Sequence, residues 1–158
     1  MNDLLTRVLA VDRGDERIGI AVSDLTKTIA NPLTVINHVQ REQDALTIIA
    51  LAEEQNADLI VVGQAFYTDG SPNPSGRKSA RLAEAIQQNT DIPTILWDEN
   101  ESTQLARKTR KLMGVKKKRL RSHMDDLAAT IILQSYLDSL LSKTNFINQK
   151  EETDEEKK

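Results

Sequence analysis

The chain has no cysteine, which excludes disulfides, thiolate–metal sites and a cysteine nucleophile. Aromatic residues make up only 3% of its 158 residues, too few for a surface that stacks bases as single-strand binders do. Its two histidines, His38 and His123, lie too far apart to read as a metal-ligand pair. No apolar run approaches the ~20 residues of a membrane-spanning helix. Met1-Asn2-Asp3 lacks the basic start and apolar centre of a signal peptide. The expectation is a cytoplasmic protein with no membrane partner. Apolar residues at 39% and charged residues at 28% are ordinary for a soluble fold. The length suits one domain, expected over 1–142, with a charged, disordered tail over 143–158.

The net charge of −3 conceals an asymmetry. Between Arg107 and Arg121 the chain places nine cations and no acid, including Lys116, Lys117, Lys118, Arg119 and Arg121. The last segment, EETDEEKK, is mostly acidic. Without it the remainder is near neutral with one concentrated basic stretch, suited to a polyanion backbone. A solvated helix face plus connector is the plainer alternative.

Val8-Leu9-Ala10-Val11 and Ile18-Gly19-Ile20-Ala21-Val22 read as two strands joined by a turn containing Gly14. Asn31-Pro32 reads as a chain break, with Leu33–Asn37 as a third strand. Arg41–Asn56 has helical periodicity through Leu46, Ile49, Ala50 and Glu53. Asp58–Gly63 is a continuous apolar run, as in a strand covered on both faces. A turn-rich loop then precedes a helix predicted from about Arg77 to Gln88, and Ile92–Glu99 reads as a fifth strand. Helices are expected at 102–113 and, closing the fold, from Met124 to Leu141. This β-β-β-α-β-α-β-α-α order predicts an α/β fold: a mixed five-stranded sheet with helices on both faces. The ribonuclease H-like superfamily shares that order, which by itself says nothing of function.

Acids fall at element ends that such a fold could bring together. They are Asp12 after the first strand, Asp98 or Glu99 after the fifth, and Asp125 or Asp126 at the start of the last helix. Clustered carboxylates without thiolate or imidazole suit a hard cation such as Mg²⁺ or Mn²⁺. Two such ions can activate water and stabilise the leaving oxygen in phosphodiester hydrolysis. Each acid also has a local role open to it. Asp12 can serve the turn, Asp98 and Glu99 can face solvent, and Asp125 stands in capping-box spacing with Ser122. Gly70–Ser79 is not a phosphate loop: Arg77 separates Gly76 from Lys78, and Pro72 and Pro74 remove N–H donors. Arg77, Lys78 and Arg81 remain able to touch phosphate.

LAVDRGDERIGIAVSD, ANPLTVI, DLIVVG, TDGS, LWDENEST and DDLAATIILQSYLD occur in order between about Arg7 and Leu141. Together they resemble the YqgF family, also called RuvX or Holliday-junction-resolvase-like. The resemblance implies a ribonuclease H-like fold and a cytoplasmic bacterial nuclease that matures the 5′ end of the small-subunit (16S) ribosomal RNA precursor. Branched-DNA resolution is the alternative its relatives suggest. By position it implies catalysis by Asp12, Glu99 and Asp125, with Mg²⁺ or Mn²⁺ on Asp12, Asp98, Glu99, Asp125 and Asp126. Arg17 matches the arginine before Ile-Gly, and joins Arg13, Arg77, Lys78 and the Lys116–Arg121 cations as candidate nucleic-acid contacts. The partner is then structured RNA or branched DNA, bound by a monomer or homodimer. A non-catalytic RNA-binding or ribosome-assembly module is the competing function. An actin-like or sugar-kinase ATPase shares the opening hairpin but needs two such domains. Three departures stand out: Arg13 where an aromatic is usual, Gly63-Gln64-Ala65 for Gly-Leu-Pro, and Asn100-Glu101 after the acids. Two roles are open to Arg13: restoring the charge balance, or pairing with the carboxylates in the metal's place.

Overall fold

Val8-Leu9-Ala10-Val11 is apolar at every position because the strand it forms is covered on both faces. The computed structural model describes residues 5–99 and 127–144. The helix expected at 102–113, the Lys116–Arg121 cations, Asn100-Glu101, Asp125, Asp126 and the tail from 145 onward lie outside the described residues.

Strand β1 (Arg7–Arg13) turns through Gly14-Asp15-Glu16 into antiparallel β2 (Arg17–Ser23), with Val11 opposite Ile20. The Gly14 N–H donates to the Arg17 carbonyl at 2.9 Å and closes the turn. Strand β3 (Ala30–Asn37) pairs with β2 and begins earlier than the expected break at Asn31-Pro32 allows. Pro32 is tolerated because β3 is an edge strand, and the β2–β3 register shifts opposite it, between Ile20 and Ala21.

Helix α1 (Arg41–Glu54) follows, then β4 (Ala57–Gln64), α2 (Pro74–Asn89) and β5 (Thr94–Asp98). The sheet order is β3-β2-β1-β4-β5, with β1–β4 and β4–β5 parallel. The mixed sheet with helices on both faces is as expected. Leu9, Val11, Ile20 and Val62 pack on one face against Ile48, Leu82 and Ile86 of α1 and α2. Val8, Ala10 and Val61 pack on the other against Ile132, Leu133 and Leu137 of the helical segment 127–144. Each large side chain fully buried this way contributes about 1.5–3 kcal/mol before conformational entropy is counted. Among the described residues no helix is long and apolar enough to cross a membrane.

Two helices depart from expectation. In α1 the period is right but the phase is not: Ala45, Ile48, Ile49 and Ala52 are buried, whereas Leu46 and Ala50 are exposed. Asp44 is the reason. It is buried in the first turn, accepting from the Val39 N–H and bonded to His38, which rotates the helix to place a carboxylate inward.

Helix α2 starts three residues before Arg77. Asn73 caps it by accepting from the Gly76 N–H at 2.8 Å, and Pro74 supplies a preset φ at the first helical position. That bond occupies a donor a phosphate cradle would need. Gly76 is also pressed against the preceding loop: a Cβ there would lie 2.0 Å from the Ala65 carbonyl oxygen. Backbone cannot yield as a side-chain tip can, so Gly76→Ala is expected to destabilise by about 3 kcal/mol, read from its urea midpoint.

Candidate active site

Asp12 lies one residue beyond the Val11–Val62 pair of the parallel β1–β4 ladder, level with Gly63. Gly63 is in turn opposite Trp97, two residues before Glu99. The carboxyl ends of β1 and β5 therefore flank the end of β4, where ligands of open α/β sheets gather. Contacts decide between the two acids at the end of β5: Glu99, just past the strand, lies against Gly63 and hydrogen bonds with Asp12. Trp97 packs against the segment 127–144 and Glu99 lies with Ile132 at Gly63 on the same face, whereas Asp98 is exposed.

Glu99 and Asp12 are hydrogen bonded, and the bond favours a proton on Glu99. Burial, then the Asp12 charge and this bond, then the Asp98 charge, push the Glu99 carboxyl up to about 7. Two carboxylates this close cannot both ionise freely. Near neutral pH Glu99 takes up a proton that a cation could replace.

Gly63 makes the arrangement possible. A Cβ there would lie 2.8 Å from Glu99 Oε1 and 3.1 Å from Glu99 Cγ. The Glu99 side chain thus crosses β4 over a position without a side chain to reach Asp12. Sequence reading ended the fourth strand at Gly63 and gave it no role. The available signal was a glycine ending an otherwise apolar strand, a pattern that marks close approach.

The helical segment 127–144 is fixed over this face by five contacts. Ile132 reaches Gly63. Trp97 donates to Ser135 Oγ at 3.2 Å and meets Tyr136 edge-on with ring centroids 5.3 Å apart. Gln134 accepts from the Ala30 N–H and donates to the Thr28 carbonyl, both at 2.9 Å. Asp125 and Asp126, immediately before this segment, lie outside the described residues, as do the Lys116–Arg121 cations.

Arg13 does not take the metal's place. One residue after Asp12 it faces the opposite side of the sheet, donating to the Gly14 carbonyl at 3.0 Å and lying against His38. Arg17 opens β2, exposed at the hairpin. Arg77 donates to the Pro72 carbonyl, and Lys78 reaches Asp15 at 3.2 Å; both are exposed on the first turns of α2.

The donor set fits a hard divalent cation. Asp12 and Glu99 offer oxygen ligands only, and their mutual repulsion is relieved by positive charge. Among the described residues no group of three or more ligating side chains occurs. Asp12 and Glu99 are the two acids brought together among the described residues.

Comparison with known proteins agrees with this architecture. A family model described as "RuvX: Holliday junction resolvase" matches residues 6–139. A Thermoanaerobacter pseudethanolicus protein named "Putative pre-16S rRNA nuclease" is 36% identical over 138 residues, 87% of this chain and 99% of its own. A Chloroflexus aurantiacus protein of the same name is 34% identical, covering 92% and 94%. Among solved structures, Thermus thermophilus RuvC in complex with a Holliday junction aligns at TM-score 0.53 and 16% identity, covering 85% of this chain and 96% of that one. A fowlpox virus resolvase with Holliday junction DNA aligns at 0.50 and 16%, covering 86% and 99%. These structural likenesses share the ribonuclease H-like fold. The family model spans most of the sequence and the curated relatives align nearly end to end, so the chain belongs to the RuvX family.

Proposed function

We propose that this protein is a metal-dependent nuclease acting on structured RNA, with the 5′ region of the small-subunit ribosomal RNA precursor as its substrate. The observation that carries the reading is the Asp12–Glu99 pair, hydrogen bonded at the carboxyl edge of the sheet, with the Glu99 carboxyl pushed up to about 7 by burial and then by the Asp12 charge. Ionising such a pair costs stability, a cost that a bound cation offsets, and carboxyls perturbed in this way cluster at functional sites. The names of the relatives supply the substrate class.

Asp12 and Glu99 hold the metal, with Asp125 completing the set and Asp126 and Asp98 adding negative charge beside it. Mg²⁺ or Mn²⁺, when bound, supplies an activated water and neutralises charge on the phosphoryl oxygens, whether as one ion or two. The chain's own part is positional. Gly63 leaves the gap through which Glu99 reaches Asp12, and the Trp97 and Gln134 contacts seat the helical segment above it. Arg17, Arg77, Lys78 and the Lys116–Arg121 cations grip backbone phosphates, which makes binding steeply salt-dependent. The protein acts in the cytoplasm, where its substrate is made.

The test is cleavage of a ribosomal RNA precursor fragment and of a four-way DNA junction, each with added Mg²⁺ or Mn²⁺ and after chelation. Cleavage of the RNA with metal, and none with chelator, is the expected result. Cutting of the junction alone would move the substrate assignment to branched DNA. Binding of RNA without cleavage at any metal concentration would make the protein a binding module on a nuclease fold.

A further inference from the structure

On the opposite face of the sheet from the carboxylate pair lies a cavity of about 310 Å³, in which Lys78 is the one residue given a phosphate contact in the proposed function. Arg13, Arg41, Lys78 and Arg81 line it beside one acid, Asp44, which is held by His38, with Leu82 and Val39 as apolar wall. Four cations around one acid leave the cavity with an excess of positive charge that a bound anion would offset. We propose that this cavity is a phosphate-binding pocket that seats a phosphate of a nucleic-acid strand passing over the sheet edge from the carboxylate pair.

Arg13 is the built element. Its side chain is only 12% exposed, and its guanidinium is held between the Gly14 carbonyl and His38 Nε2 at 3.3 Å. Arginine has no acceptor, so His38 Nε2 accepts this bond and the imidazole proton sits on Nδ1, facing Asp44. Asp44 is buried and anchors the chain Asp44–His38–Arg13, also accepting from the Val39 N–H. A guanidinium fixed this way loses little freedom when it binds a phosphate, for which its fork of donors is matched.

The acids do not fill the pocket: Asp44 is on its wall, Asp15 is at its rim, and Glu42 and Glu84 line the neighbouring cleft beside Arg41 and Arg81. Asp44 is committed to His38 and Val39. Asp15, 82% exposed, touches Lys78 at 3.2 Å and Arg13 only at 3.9 Å, and Glu42 pairs with Arg41 on the exposed start of α1. Exposed pairs of this kind are weak enough for a phosphate with two or three charge-assisted bonds to displace. The cavity is at the small end of ligand-sized sites, with room for a phosphate and its sugar.

Position argues for the source. Asp12 and Arg13 are consecutive and point to opposite faces, so one strand wrapped over that edge meets both. That source rests on the nuclease reading above, whereas the pocket's affinity for phosphate does not.

The experiment compares wild type, Arg41→Ala/Arg81→Ala and Asp12→Asn in chelator, where no cleavage intervenes. Both arginines are exposed, so the double variant keeps its core. One arm measures binding of a short fluorescent RNA across a salt series; the other measures the rise in Tm with inorganic phosphate. The double variant is expected to bind RNA roughly tenfold more weakly, its log–log salt slope lower by about 0.7–1.4, while Asp12→Asn binds at least as well as wild type. Unchanged RNA binding together with a phosphate-induced Tm rise in wild type alone would support the pocket but assign it to a free phosphorylated ligand. Indifference of the double variant in both arms overturns the proposal. A protein that binds through this pocket but cuts nothing would fail only the nuclease reading.

Discussion

Asp12→Asn and Glu99→Gln are each expected to lower RNA cleavage by ~10³-fold while making the metal-free protein more stable above pH 7. The two effects have one cause. In the native protein Glu99 is pushed up to about 7, chiefly by burial and then by Asp12, from an ordinary value of 4.5. Between those values the folded chain holds a proton that the unfolded chain has released. Stability therefore falls as pH rises through this window: the contribution is fully present below about 4.5 and gone above about 7. With the partial solvent exposure of Glu99 allowed for, the penalty is about 1–3 kcal/mol.

Glu99→Gln removes that penalty, because the amide carries no charge to bury or repel. The gain over wild type is expected at pH 8 and absent at pH 4.5. Asp12→Asn removes the Asp12 charge but leaves burial, the larger cause, so its gain is smaller. Urea unfolding of the three proteins in chelator at both pH values checks the ordering. Equal pH dependence in all three would mean that the carboxylates do not share a proton, and the metal reading would lose its physical basis. Added Mg²⁺ is expected to reverse the ranking, stabilising wild type and neither variant.

Most of this architecture is legible in the sequence because its strands differ so sharply from its helices. Val8–Val11 and Ile60–Val62 are apolar throughout, which only strands covered on both faces require. What misled the reading was local and has local reasons. Pro32 reads as a break until β3 is known to be an edge strand, a property of sheet order and not of sequence. The phase of α1 is set by Asp44, whose burial depends on His38 and Val39 being folded against it.

The candidate site was legible to the same degree. Acids at strand ends are visible in sequence, and the β1–β4–β5 ladder shows why Asp12 and Glu99 meet. That Glu99 rather than Asp98 meets Asp12 depends on where β5 ends and on the room left at Gly63, which no composition reveals. Arg13 illustrates strand alternation. Beside Asp12 in sequence, it works on the other face of the sheet.

Gly63→Ala should separate stability from catalysis at this site. The added Cβ would lie 2.5 Å from Ile132 Cδ1, 2.8 Å from Glu99 Oε1 and 3.1 Å from Glu99 Cγ. All three are side-chain atoms, so the strand keeps its course and the neighbours move, at an expected cost of about 1–3 kcal/mol. Ile132 has other apolar space to explore, but Glu99 has one productive position, against Asp12. A displacement of about an ångström there is expected to lower cleavage ~10²-fold. The pH dependence of stability should shrink as well, since a Glu99 pushed off Asp12 no longer shares its proton. Ile132→Val in the same background removes Cδ1 and with it the shortest clash. The double variant is therefore expected to recover much of the lost urea midpoint and little of the lost cleavage, because the Glu99 contacts remain. If cleavage returned along with stability, Gly63 would matter only as a seat for the helical segment. A persistent loss would assign the glycine to the reach of Glu99 across β4.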